Sequence, residues 1–253
     1  MNLDEREKLR FDQFSNLKIN EINNFIDDIE RYPEYIKLPY IYFENKIIEY
    51  AKDNNSLIDV CCGDGIHTFI ASTIVNEIYG IDFSEKSIEL CNELKKKKGI
   101  NNVHFVRDNV LHYNTNKKFD VVIMAGSISY FNHKEILDKL YSLISDDGTL
   151  IIIDSLNDNI FYRLNRFIHF LFGKRSYYTI NNMPYLNKLV ENINKNYNII
   201  TLKNFGIFIF ITPFLKYFFS ENKIAKLMTL LDNKFHFLNR YSFKTVIIAK
   251  KHD

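Results

Sequence analysis

Apolar residues recur at two different spacings along this chain, and the change of spacing divides it. Residues 1 to about 50 are polar with a helical period, cut into short segments at Tyr32-Pro33 and Leu38-Pro39. From Ser56 to about Ser155, short β-rich apolar runs at 57–61, 78–82, 103–106, 120–125 and 149–153 alternate with helical stretches. Such alternation predicts βαβ units and a parallel sheet. Val121-Val122-Ile123-Met124 and Leu150-Ile151-Ile152-Ile153 are continuous apolar runs, as strands covered on both faces require.

Punctuation marks the helices. Residues 66–75 form one, opened by Gly63 and Gly65. Ser84 caps another that starts at Glu85 and ends in Lys95 to Lys98 before Gly99, where the lysines oppose the negative end of the helix dipole and the glycine supplies a left-handed stop. Asn132 with Glu135 is a capping-box arrangement, and Ile136, Leu137, Leu140, Leu143 and Ile144 then share one face. Asp146-Asp147-Gly148 is expected to turn that helix into the next strand. A polar-aromatic stretch over about 155–198 follows, then apolar runs at 199–202 and 205–211, a helix from Phe214 to about Leu231, and a last apolar run from Ser242 to Lys250.

With 253 residues, 46% of them hydrophobic and 25% charged, the chain suits one α/β domain with an added cap. The expected division is a helical cap segment over 1–50 and a domain over 51–253 with an insertion at about 155–198. A net charge of +2 gives no electrostatic case for nucleic acid as a partner. Cys61, Cys62 and Cys91 offer neither a disulfide framework nor metal-ligand spacing, so a reduced cytoplasm and no metal are expected. The charged opening MNLDEREKLRF lacks the apolar run of a secretion signal, and no stretch approaches the roughly 18 apolar residues of a membrane span. A soluble protein without stable membrane insertion is therefore expected.

Chemistry concentrates at the strand ends. Leu57-Ile58-Asp59-Val60-Cys61 reads as a strand, and Gly63 and Gly65 open the turn that follows, where the backbone can approach a ligand closely. In a doubly wound sheet that turn lies at the carboxyl edge, where ligands bind. Asp82 ends the second strand, 17 residues after Gly65, and a carboxylate there can accept both hydroxyls of a ribose. Asp108, after the third strand, can accept a proton from an adenine amino group.

These residues carry a resemblance. LIDVCCGDGIHT is similar to motif I of the class I S-adenosylmethionine-dependent methyltransferases, IYGIDFSEKSIELC to the second motif and FVRDNV to the third. FDVVIMAGSISYF resembles the fourth-strand motif, and LISDDGTLIIID the turn and fifth strand. The likeness covers about 56–155 and, more loosely, the C-terminal strands. It implies a Rossmann-like, mostly parallel seven-stranded sheet with an antiparallel last strand, helices on both faces and a helical cap. It implies S-adenosylmethionine as cofactor and S-adenosylhomocysteine as product. Asp59, Gly63 and Gly65 would shape the methionine and ribose pocket, Asp82 would hold the ribose and Phe83 would flank the adenine. Asp108 and Asn109 would line the adenine edge, and Ala125, Gly126 and Ser127 the rim beside the sulfonium. Cys61 stands where the family's first glycine usually is, a small residue in a tolerant position. Thr68 stands where a dinucleotide-binding fingerprint needs glycine, which counts against a nicotinamide enzyme.

The acceptor side is less determined. Tyr40, Tyr42, Tyr177 and Tyr178 are candidates for a lid built from the N-terminal helices and the insertion. A hydroxyl acceptor needs its proton removed, and His133, Tyr130 and His67 are the candidate bases. Arg163, Arg166 and Arg175, with Lys174, would suit a phosphate or carboxylate on the acceptor if they face inward. LNRFIHFLFGKRSYYTINNMP resembles a segment of methyltransferases from surface-polysaccharide clusters, which implies O-methylation of a sugar-linked or phosphorylated small molecule. Two other readings stay open: a lipid or quinone methyltransferase whose aromatic patches at 160–172 and 205–219 touch a membrane, and a donor-binding scaffold without turnover. The pattern leaves the oligomeric state open.

Overall fold

Seven segments pair into one sheet, buried on both faces along its inner strands and partly exposed at its two edges. The computed structural model describes residues 33–52, 56–172 and 176–252. The strands are β1 (Ser56–Val60), β2 (Glu77–Asp82), β3 (Val103–Arg107), β4 (Phe119–Ala125), β5 (Ile144–Ser155), β6 (Tyr197–Phe205) and β7 (Lys244–Lys251), in spatial order β3-β2-β1-β4-β5-β7-β6. β1, β2, β3, β4 and β5 run parallel, and β7 lies antiparallel between β5 and β6. The order reverses between β1 and β4, so the crevice at their carboxyl ends is the topological switch point where ligands of such sheets bind. The expected Rossmann-like, mostly parallel sheet is the observed one.

Alternation along β4 explains the layers. Val122 and Met124 face a core shared with α4 (His133–Leu143) and α7 (Leu186–Ile193), whereas Val121 and Ile123 face Phe43, Ile47 and Ala51 of α1 (Glu34–Ala51). α2 (Ile66–Ala71) and α3 (Glu85–Lys98) complete the donor half. Tyr35, Pro39, Phe43, Ile47 and Ala51 recur every four residues in α1 and are all buried. That stripe carries the helix through Pro39, where a break was expected; its burial outweighs the roughly 3 kcal/mol an interior proline costs. The expected polar helices over 1–32 lie outside the described residues.

Both helix signals hold. Ser84 Oγ accepts from the Ser87 N–H at 3.2 Å, Gly99 is left-handed at φ 66°, and Asn132 Oδ1 accepts from the N–H groups of Lys134 and Glu135. Four places differ from expectation. α2 stops at Ala71 because Asn102 Nδ2 donates to the Ser72 and Val75 carbonyls and holds the chain in turns. The Asp146-Asp147-Gly148 turn lies inside β5: Ile144 already pairs with Phe119, and the register shifts before Val121 meets Thr149. Residues 206–211 leave the sheet, since the Asp232 carboxylate takes the N–H groups of Gly206 (2.7 Å) and Ile207 (2.9 Å) and Gly206 turns at φ 78°. The expected helix from 214 to 231 is split into α8 (Thr212–Leu215) and α9 (Glu221–Lys234), broken at the N-cap position Ser220.

Between β5 and β6 the chain forms α5 (Ile160–Leu171), α6 (Tyr177–Asn181) and α7. α5, α8 and α9 gather on a third apolar cluster around Tyr35, Tyr162, Ile209, Ile224 and Met228. This cap rises from the carboxyl ends of β5 and β6, the same edge as the turn after β1. Among the described residues, no helix is long and apolar enough to cross a membrane.

Candidate functional site

Reversing the chain from β1 into α2 within five residues requires three left-handed positions: Cys61 (φ 60°), Gly63 (φ 54°) and Gly65 (φ 78°). Cys61 is the sole non-glycine residue of positive φ among the described residues, at a cost of about 1–2 kcal/mol. The family's preference for glycine at that place thus has a backbone cause. Gly65 is also packed: a Cβ there would meet Cys91 Sγ at 3.0 Å and the rings of Phe69 and Phe105 at 3.1 and 3.2 Å. Gly63 and Gly126 (φ 67°) are different, for a Cβ on either would meet nothing within 4 Å. Both glycines present bare backbone to open space at the sheet edge.

Asp82 joins the loop to the second strand end. Its carboxylate accepts from the N–H groups of Gly63 and Ser84, both at 2.9 Å, leaving each oxygen a further lone pair for a ribose hydroxyl. Burial pushes its pKa up, and those two N–H groups hold it down. Asp59 is 1% exposed and accepts from Thr68 Oγ1 at 2.6 Å; burial pushes its carboxyl up to about 6, against the opposing His67 and Thr68. Thr68 therefore ties the helix to the strand by a hydrogen bond where a dinucleotide fold uses a glycine. Burial raises all three cysteine thiols, so none is a ready nucleophile. The Ser127 hydroxyl faces the Cys61 thiol and opposes the rise that burial imposes on it.

The remaining donor-side candidates border the same edge. The Asp108 N–H donates to the Asp82 carbonyl at 3.0 Å, Asn109 Oδ1 accepts from Leu111 N–H, and Phe83, which follows Asp82, is half-buried. Gly126 N–H donates to the Ile153 carbonyl at 2.8 Å, which sets the rim formed by Ala125, Gly126 and Ser127. That rim is fixed further by Asp154, whose buried carboxylate accepts from Ile128 N–H at 2.9 Å and Ser155 N–H at 2.7 Å.

On the acceptor side the structure separates the candidates. His133 is tethered, its Nε2 donating to the Asn182 carbonyl at 2.8 Å while Asn182 Nδ2 donates to the Ser129 and Phe131 carbonyls. This clamp fastens α6 to the rim after β4, beside the half-buried Tyr130. His67 Nδ1 lies 3.5 Å from Glu44 of α1, and its ring stands edge-on to Phe43 at 5.0 Å. Tyr40 packs under the Lys244 ammonium at 5.0 Å, and Tyr42 packs on Phe205 at 5.4 Å. Tyr177 and Tyr178 are exposed and line a shallow groove with Asn181 and Asn182. Of the arginines, Arg163 is exposed, whereas Arg166 is 6% exposed with Nη1 donating to Asn157 Oδ1. Lys174 and Arg175 lie outside the described residues.

Three residues not singled out by the sequence belong here: Glu44, Asp154 and Lys244. Lys244 opens β7 opposite Ser155, is 6% exposed, and donates to Ser155 Oγ at 3.0 Å. Among the described residues no carboxylate lies within ion-pair distance of it, although its charge opposes the burial-driven rise of the Asp154 pKa. An acidic residue closing an apolar run, as Asp154 does, is the signal that could have found it. Among the described residues no group of three or more His, Cys, Asp or Glu side chains could hold a metal.

Residues 51–198 match the model of the methyltransferase domain family, more than half of the chain. The chain belongs to that family, and its strand order is the one expected of the class I S-adenosylmethionine-dependent methyltransferase fold. It is 26% identical over 147 residues to a demethylmenaquinone methyltransferase of Lactococcus lactis subsp. lactis (strain IL1403), covering 56% of this chain and 55% of that one. The chain spans about half the length of the curated relatives it matches. In fold it is similar to the geranyl diphosphate C-methyltransferase of Streptomyces coelicolor A3(2), with a TM-score of 0.59 and 12% identity over 84% of this chain and 81% of that one. It is similar as well to the N-methyltransferase NodS of Bradyrhizobium japonicum WM9, solved with S-adenosyl-l-homocysteine, with a TM-score of 0.55 and 9% identity over 85% and 87%. The open backbone at Gly63 and Gly126 and the spare lone pairs of Asp82 fit the family's donor.

Proposed function

We propose that this protein transfers the methyl group of S-adenosylmethionine to a hydroxyl of a small, polar acceptor in the cytoplasm. The observation that carries the donor assignment is the Asp82 carboxylate bonded to the N–H of Gly63, whose own Cα faces open space. Asp82 would receive the ribose, Asp59 the methionine ammonium, and Asp108 with Asn109 the adenine edge. When bound, the donor supplies a methyl already activated on a sulfonium. The chain's task is then to align the acceptor and exclude water.

Lys244 favours a polar acceptor, because a buried ammonium beside the reacting edge steadies negative charge that develops on oxygen. Of the candidate bases, His67 is the one the reading favours, since a carboxylate, Glu44 of α1, lies 3.5 Å from its Nδ1 and can orient the ring. His133 spends a ring nitrogen on holding α6, and Tyr130 serves the same rim. Arg166, buried and bonded to Asn157, would be the arginine to meet a phosphorylated or sugar-linked acceptor.

A second reading, transfer to a lipid or quinone, is supported by the exposed aromatic residues of the cap and by the naming of the L. lactis relative. An acceptor screen that follows S-adenosylhomocysteine release, run with nucleotide sugars, phosphorylated metabolites and an isoprenoid quinone precursor, separates the two. Turnover on the sugar or phosphate set, abolished in His67→Gln with donor affinity kept, is the expected result. Turnover on the quinone alone overturns the first reading, and tight donor binding without turnover on any acceptor supports a scaffold role.

A further inference from the structure

Charge and exposed apolar surface are distributed unevenly in this molecule, and they coincide. Residues 156–243 carry 12 Lys and Arg against 4 Asp and Glu, a net +8, whereas the rest of the chain carries 21 against 27, a net −6. The overall +2 conceals that division. Of the 19 large hydrophobic side chains exposed among the described residues, 17 lie in the same stretch, between Ile160 and Phe237; Ile200 and Leu202 belong to β6 and the other 15 to the cap.

The exposed residues form two neighbouring ridges. On α5, Phe161, Leu164, Ile168 and Leu171 follow the three- and four-residue spacing of one helix face, and all are exposed, while Tyr162 and Arg166 turn inward. The second ridge is the segment around α8, where Phe214, Tyr217 and Phe218 are 72%, 84% and 79% exposed. The two are joined: Phe161 stacks on Phe210 at 4.2 Å with rings 13° apart, and Phe208 packs on Phe235 beside α9. Arg163, Lys216, Lys223, Lys226 and Lys234 stand exposed among them. A soluble monomer rarely leaves so much aromatic surface open.

We propose that this cap is a peripheral docking face for an anionic lipid membrane, with the aromatic ridges of α5 and residues 214–219 entering the headgroup region and the surrounding lysines and arginines meeting anionic lipid. Apolar side chains interleaved with cations are the pattern of interfacial segments, and the exposed Arg163, Lys216, Lys223, Lys226 and Lys234 are complementary to a negative surface. The face rises from the carboxyl edge of the sheet, so docking brings the donor crevice close to the membrane plane whatever the acceptor proves to be. The docking does not rest on the methyl-transfer reading.

The test is co-sedimentation of the full chain with phosphatidylcholine vesicles and with vesicles containing one third phosphatidylglycerol, at low and high salt. The expected result is strong partition onto the phosphatidylglycerol vesicles, weakened by salt and by their omission. The combined variant Phe214→Ser, Tyr217→Ser, Phe218→Ser should lower that partition at least about tenfold while S-adenosylmethionine affinity stays unchanged, since these side chains are already in water. Donor affinity measured on the same preparations shows that the variant is folded. Equal binding to both vesicle types, or no loss in the variant, overturns the proposal. So does a concentration-dependent dimer that the variant abolishes without any vesicle binding, which would assign the face to a second copy of the chain.

Discussion

The half of the molecule around β1 to β4 and the cap that rises from β5 and β6 solve different problems. In the first, glycines, buried carboxylates and backbone N–H groups are locked together: Asp82 holds Gly63 and Ser84, Asp59 holds Thr68, and Gly65 is wedged against Cys91 and Phe105. In the second, polar contacts such as Tyr162 to the Gly206 carbonyl hold the base of the cap, while its outer surface is aromatic and basic. The donor is one fixed molecule, so the residues meeting it have little freedom. The cap is under no such constraint, and under the proposed function it is the part that would meet the acceptor.

The comparison breaks if substitutions in the two halves have the same consequences. The largest effect is expected from Asp82→Ala, which removes two hydrogen bonds to a charged group and frees the Gly63 loop. Calorimetric S-adenosylmethionine affinity should fall about a hundredfold or more. Affinity within threefold of the parent would remove Asp82 from the site.

A smaller effect should follow pH. With its carboxyl at about 6, Asp59 is mostly protonated at pH 5 and mostly ionised at pH 7. If the ionised form meets the donor's ammonium, affinity should rise about tenfold across that range. In Asp59→Asn the profile should be flat. The same shift has a stability consequence of opposite sense. A carboxyl whose folded pKa is raised binds its proton more tightly when folded, so stability should decline as pH rises from about 4 to 6. Thermal melts of parent and Asp59→Asn across that range read it.

The smallest effect concerns the helix that carries the donor-side wall. Ser84→Ala removes the Ser87 N–H cap of α3 and should cost about 1 kcal/mol in urea unfolding. Cap-surface variants such as Phe218→Ser should change stability by no more than about 0.5 kcal/mol.

The same contrast governs what could be read from the residues alone. β1 to β4, the capped α3 and α4, and the loop at Gly63 and Gly65 are legible because their signals are local: apolar runs, caps and glycines within a few positions. The helix end at Ala71 is not legible locally because Asn102, 30 residues beyond Ser72, closes it. The split between α8 and α9 and the turn at Gly206 depend on Ser220 and on Asp232, a side chain whose partners lie about 25 positions upstream. Lys244 carries no local signal for the same reason, since Ser155 is 89 residues away and becomes its neighbour only when β7 pairs with β5. Glu44 meets His67 across α1 and α2 in the same manner.

The position of β7 has a consequence for how the molecule is made. β6 touches the sheet only through β7, which slots between it and β5. A growing polypeptide has all five donor-side strands by Ser155, and nothing further in the sheet is needed for them to pair. β6 then waits for residues 244–251, made some forty positions later. During synthesis the donor half can therefore settle first, while the cap and its aromatic ridges stay undocked and in need of shielding, by a chaperone for example, until the last strand emerges.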